Sequence, residues 1–169
     1  MSKTLLVMRH AKSSWSNGEL PDHERPLNAR GRHEAEQMGQ ELARLGWRPD
    51  LILASTARRA RSTAKRVARE LNDVDITLDG RLYESTPGAC LRVLAERGTG
   101  ETVLLIGHNP TLEDLVRDLA LRYIGLPTAT VAVVRLAIDD WAQVDGVTSG
   151  QLEAVLTPRE ADVTAMRLV

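Results

Sequence analysis

Short apolar runs alternate with stretches of helical periodicity along most of this chain, and that alternation restricts the fold more than any other feature. TLLVM (4–8), LILAS (51–55), TVLLIG (102–107), TVAVVRLAI (130–138) and QLEAVL (151–156) read as strands, with a short one near 75–78. The first is apolar on both faces, as a strand inside a parallel sheet must be. After Asn28, a plausible N-cap, one stripe carries Ala35, Met38, Gly39, Leu42 and Leu45, and Gly46 and Pro49 end the helix. A second helix can be capped by Ser55 or Thr56 and carries Ala57, Ala60, Ala64, Val67, Ala68 and Leu71 on one face. A third covers about 87–97, and NPT (109–111) opens a fourth with Pro110 in its first turn. Residues 12–27, with Gly18, Pro21 and Pro26, read as a loop. The last two strands join through Asp145-Gly146, and no element is assigned to residues 157–169. The pattern predicts one domain over 1–169, a three-layer α/β/α sandwich on a mostly parallel, mixed sheet.

Totals narrow the function. Lys plus Arg number 22 against 23 Asp plus Glu, a net charge of −1, which argues against a general binder of nucleic acid or anionic membranes. A lone cysteine, Cys90, excludes an internal disulfide framework and suits a reducing cytosol. The five residues Thr4 to Met8 are too short a run for a signal core or a membrane span. A cytoplasmic location is expected.

The strand ends concentrate unusual side chains. In open α/β sheets the C-terminal ends of parallel strands share the edge where ligands bind. The first strand ends in Arg9 and His10, the second precedes Arg58 and Arg59, the short third precedes Tyr83 and Glu84, and TVLLIG delivers His108. Burying a guanidinium and an imidazole at a core strand's end requires a partner. With cations and donors in excess, that partner is expected to be an anion. Cations in a helix's first turn also oppose its dipole, typically by about 0.3–1 kcal/mol, and a bound phosphate reverses the sign. Arg61, Lys65, Arg66 and Arg69 read as a solvated basic face, and His23 and His33 as structural. Flanking arginines and the absence of HxH or HExxH spacing speak against a metal.

At these residues the chain resembles the histidine phosphatase superfamily and, within it, the short SixA-like phosphohistidine phosphatases. The family's Arg-His-Gly looks like Arg9-His10-Ala11, with alanine for glycine. STARRARSTA (55–64) is similar to its Ser-Pro-Leu-x-Arg-Ala-x-Gln-Thr-Ala block, which puts the phosphate-binding arginine at Arg59. LYE (82–84) looks like Leu-Arg-Glu, with Glu84 at the acid position, and GHNP (107–110) resembles the segment with the second histidine, His108. RPLNARGRHEAEQMG (25–39) is similar to the family's Pro-Leu-Thr helix start. Ser16 stands where mutase-type relatives carry an asparagine near the phosphate.

The resemblance implies a phosphoglycerate mutase-like fold and a metal-independent phosphatase with no cofactor. His10 would be the nucleophile, Arg9, Arg59 and His108 the phosphate clamp, and Glu84 the proton donor, with Lys12 and Ser16 as further substrate contacts. Only 24 positions separate Glu84 from His108, without the long helical insertion of mutase-like relatives. An open pocket for a phosphorylated protein side chain is therefore expected, with Lys12 and Trp15 on its rim, though Trp15 equally suits loop packing. The expected partner is a protein carrying phosphohistidine, in signalling or phosphotransfer. Two alternatives stand beside this: a broad small-molecule phosphomonoesterase, and a phospho-binding module without catalysis.

Overall fold

The computed structural model describes residues 1–158 and 166–167. Seven strands, β1 (Lys3–Arg9), β2 (Leu51–Ala54), β3 (Ile76–Leu78), β4 (Thr102–Gly107), β5 (Val131–Leu136), β6 (Gly150–Leu156) and β7 (Met166–Arg167), form one sheet in the order β3-β2-β4-β1-β5-β6-β7. The first four strands pair in parallel, whereas β5, β6 and β7 pair antiparallel, so the sheet is mixed. β7 falls in the tail to which the sequence assigns nothing, most of which lies outside the described residues.

Four helices cover the sheet: α1 (Ala29–Leu45), α2 (Arg58–Glu70), α3 (Pro87–Arg97) and α4 (Thr111–Ala120). β1 explains the layering. Its side chains alternate, so Leu6 and Met8 pack with Ala35, Met38 and Leu42 of α1 and Ala60, Ala64 and Val67 of α2. Leu5 and Val7 face the other way, onto Leu91 and Leu94 of α3 and Leu112, Leu115 and Val116 of α4. All four of these β1 side chains are fully buried, and truncating Leu5, Leu6 or Met8 to alanine costs about 2–5 kcal/mol at such sites. Among the described residues, no helix is long and apolar enough to cross a membrane.

The helix ends follow local chemistry. Asn28 caps α1, its side chain accepting from the Gly31 amide at 2.8 Å, and Gly46 ends it in the left-handed conformation. Gly31 is required by a close approach: a Cβ there would lie 2.0 Å from the Lys12 carbonyl oxygen. That contact presses the start of α1 against the loop leaving β1. Neither Ser55 nor Thr56 caps α2; the cap position is Ala57, without a side-chain bond. Pro110 takes the cap position of α4, one place before its first turn.

Candidate active site

Hydrogen bonds across the strand ends bring the chemistry together. The His10 amide donates to the Gly107 carbonyl at 3.1 Å, and the Ser55 amide to the Ile106 carbonyl at 3.0 Å. Because β2, β4 and β1 are neighbours, the residues just beyond them emerge side by side. The rings of His10 and His108 lie 5.0 Å apart, centroid to centroid, and Arg59 Nε donates to His10 Nε2 at 3.4 Å. These three, with Arg9, Lys12 and Arg25 among others, line a cleft of about 200 Å³.

His10 is 7% exposed. Its Nδ1 lies 2.7 Å from the Ala11 carbonyl oxygen, which can only accept, so the proton sits on Nδ1 and the lone pair on Nε2. Burial, with His108, Arg59 and Arg9 nearby, pushes its pKa down to about 3, leaving a neutral ring at neutral pH. His108 is likewise pushed down to about 4, by burial first and Arg59 second. Its Nε2 pairs with Ser55 Oγ at 2.8 Å. That hydroxyl also accepts from the Ala57 amide. With Ser55 as donor to Nε2, the proton of His108 sits on Nδ1; that nitrogen is buried without a hydrogen-bond partner, as is Arg9 Nε. Arg9 Nη1 donates to the Leu126 carbonyl at 3.3 Å.

Ala11 sits comfortably in place of a glycine. Its backbone is not left-handed, and its methyl belongs to the core under α1 and α2. Its amide donates to Thr63 Oγ1 at 3.0 Å, and Thr63 donates in turn to the Arg59 carbonyl, so one hydroxyl ties the two site segments together.

Arg59 is buried and bonds Asp22 twice, Nη1 to its carbonyl at 2.8 Å and Nη2 to its carboxylate at 3.0 Å. The same carboxylate accepts from Arg25 Nε at 3.1 Å and from the Tyr83 hydroxyl at 2.7 Å. Those bonds, the tyrosine's foremost, hold Asp22 well below the usual carboxylate range. Arg25 also donates to Ser13 Oγ and stacks 3.4 Å over the Trp15 ring, which is 72% exposed. Trp15 therefore both forms the rim and packs within its loop.

Arg9, His10, Lys12, Arg59 and His108 come together as expected from the sequence. Ser16 does not: it is exposed, bonds Ser14, and lies outside the cleft lining. Glu84 is exposed, in a left-handed conformation, and also outside that lining. Its neighbour Tyr83 points inward, with its ring 5.6 Å from that of His108. Sequence reasoning missed Asp22, Arg25 and Ser55. Arg25 opens the RPLNARGRHEAEQMG segment that resembles the family's helix start, whereas Asp22 leaves no trace beyond an acid three positions before that arginine in a polar loop. Of the helical arginines, Arg61 and Arg66 pair with Glu24 and Glu36 rather than facing solvent alone. His23 braces the loop, bonding Thr56 at 3.0 Å and meeting the Tyr83 ring edge-on. Among the described residues, no three His, Cys, Asp or Glu side chains form a group able to hold a metal.

Comparison with known proteins fits this geometry. A model of the histidine phosphatase superfamily (branch 1) matches residues 5–92. An uncharacterized protein of Mycobacterium tuberculosis is 37% identical over 150 residues, covering 82% of this chain and 92% of its own. A candidate phosphohistidine phosphatase SixA from Agrobacterium tumefaciens superposes with a TM-score of 0.78 at 30% identity, over 94% of this chain and 99% of that one. The protein histidine phosphatase SixA complexed with tungstate superposes at 0.73 and 25% identity, over 92% and 97% of the two chains.

Proposed function

The chain belongs to the histidine phosphatase superfamily, and on that premise we propose that it is a metal-independent phosphohistidine phosphatase acting on a phosphorylated protein in the cytoplasm. One observation carries the reading: a buried, neutral His10 with its lone pair on Nε2, 3.4 Å from the Arg59 guanidinium. A neutral imidazole needs no strong base to become a nucleophile. Tungstate is a tetrahedral oxyanion, and its capture by a SixA relative supports a phosphate-shaped pocket here.

The steps balance with solvent as the proton source and water as the second reactant. His10 Nε2 attacks phosphorus as the substrate's P–N bond breaks, and the departing imidazole takes a proton from solvent and leaves neutral. The phosphorylated His10 ring is cationic, and the Ala11 carbonyl accepting from Nδ1 steadies it. Water then attacks phosphorus, the P–Nε2 bond breaks, and phosphate departs. Phosphoryl transfer depends mainly on positioning and electrostatics. Arg9 and Arg59 supply the positive charge, and His108 Nδ1–H a further donor, to the equatorial oxygens.

Substrate size follows from what covers the cleft. Between Glu84 and His108 the chain builds only α3 and β4, so no inserted helices roof the site. A side chain on a folded protein can reach in. Glu84 is exposed beside Tyr83 and outside the cleft lining, so as proton donor its side chain would swing toward the ester oxygen bonded to phosphorus.

Turnover of a phosphohistidine peptide against a panel of alkyl phosphates tests the reading. Phosphohistidine is expected to be the preferred substrate, EDTA to leave the rate unchanged, and His10→Ala to lower it by about three orders of magnitude or more with the fold retained. Full activity of His10→Ala would remove the nucleophile. Preference for small esters would favour a phosphomonoesterase instead.

A further inference from the structure

Asp22 is a carboxylate at the edge of a cationic cleft, bonded to two of the arginines that line it. Arg9, Lys12, Arg25 and Arg59 all line that cleft, and Asp22 bridges two of them, Oδ2 accepting from Arg59 Nη2 at 3.0 Å and Oδ1 from Arg25 Nε at 3.1 Å. The Tyr83 hydroxyl fixes Oδ2 from a third side at 2.7 Å. The Arg25 and Arg59 side chains are each 8% exposed, but that of Asp22 is 49% exposed. A negative charge thus stands, immobile and open to solvent, one guanidinium away from the nucleophile. Clamping a phosphoryl group requires only the cations. The carboxylate occupies the outer edge of the Arg59 fork, where a second anionic group of a bound substrate would otherwise find its counter-charge.

We propose that Asp22 is a specificity-determining residue whose carboxylate turns away substrates with a second anionic group beside the phosphoryl group. The substrates it leaves are phosphoryl groups on neutral or cationic carriers, the imidazole of a protein histidine among them. This rests on the phosphatase reading above. Like charges roughly 7 Å apart at a half-exposed site weaken binding by about five- to tenfold.

Ethyl phosphate and phosphoglycolate are similar in size and differ by one carboxylate. The quantity to measure is the ratio of their kcat/KM values. Asp22→Asn is expected to shift that ratio about fivefold toward phosphoglycolate, Asp22→Ser to do the same, and Asp22→Glu to keep the wild-type ratio. A brace for the two arginines would instead lower both substrates together. An unchanged ratio in both neutral variants overturns the proposal, and the second variant covers the case in which Asn distorts the loop. If the wild-type protein turns over neither ester, turnover of a phosphohistidine peptide decides the phosphatase reading separately. The ratio of the two dissociation constants, measured by calorimetry, then still decides the role of Asp22.

Discussion

Arg59 Nε and His10 Nε2 lie 3.4 Å apart although 49 positions separate them in the chain. The pairing sets a fixed cation beside a lone pair. It adds to burial in keeping the imidazole unprotonated, while both Nη atoms of the guanidinium are held by Asp22. Four expectations for the site and its supports can be measured.

Acid should weaken the fold through the two site histidines. Their folded pKa values, about 3 for His10 and about 4 for His108, lie below the ordinary 6.5. Between those values and 6.5 the unfolded chain binds more protons than the folded one, so stability rises with pH. The contribution is complete above about pH 6.5 and is lost as the pH falls toward 4 and then 3. The depressed carboxylate of Asp22 adds a further loss below the ordinary aspartate range. Tm followed from pH 7 to pH 4 should fall, and His108→Gln should flatten the slope. Equal slopes in the two proteins would mean that burial does not depress His108.

Ser55→Ala should lower kcat about tenfold, the equivalent of one buried hydrogen bond. Ser55 is fully buried and holds His108 Nε2 at 2.8 Å. Without the hydroxyl, nothing in that contact fixes which ring nitrogen carries the proton. Ser55→Thr retains the hydroxyl and should recover most of the rate. A loss of Tm with kcat intact would reduce Ser55 to a structural role.

Gly31→Ala should be destabilising by about 1–3 kcal/mol, the usual cost of overpacking. Its Cβ would fall 2.0 Å from the Lys12 carbonyl oxygen, and backbone cannot yield as a side chain does. Since that carbonyl also accepts from the Asn28 amide, the displacement reaches the loop after His10. Denaturant unfolding checks this. A midpoint equal to that of the unaltered protein would mean the helix start shifts freely.

Glu84→Ala should slow hydrolysis of alkyl phosphates by about a hundredfold, the lower range of general-acid effects, and phosphohistidine far less. An alkoxide needs a proton to leave, whereas imidazole departs readily once protonated by solvent. Parallel rates on the two substrate types decide the matter. Similar losses on both would argue against a proton donor.

The apolar strands were legible because burial on both faces leaves little room for other residue types, as in Leu5 to Met8. Asn28 and Gly46 were legible because helix ends obey local chemistry. So were His10 and His108, each directly beyond a core strand. Ser55 was misread as a helix cap. A serine ahead of a helix carries that signal, but here a histidine 53 positions away engages the hydroxyl. Asp22 was invisible for a similar reason, since its meaning depends on Arg59, 37 positions on, and Tyr83, 61 positions on. Glu84 follows a strand as expected, yet the turn of Gly80–Leu82 and its own left-handed backbone carry it outside the cleft. Long-range contacts and backbone turns, not composition, separated the readable residues from the rest.

The short connection over the cleft bears on the fate of the proposed covalent adduct. Only α3 and β4 lie between Glu84 and His108, so in the proposed mechanism no inserted helix has to open before water enters behind the departing product. The adduct's lifetime is then set by the barrier to water attack on phosphorus rather than by a gate, which favours discarding the phosphoryl group over handing it on. Capturing that adduct calls for rapid mixing and a millisecond alkaline quench, since phosphoimidazoles survive base and decay in acid.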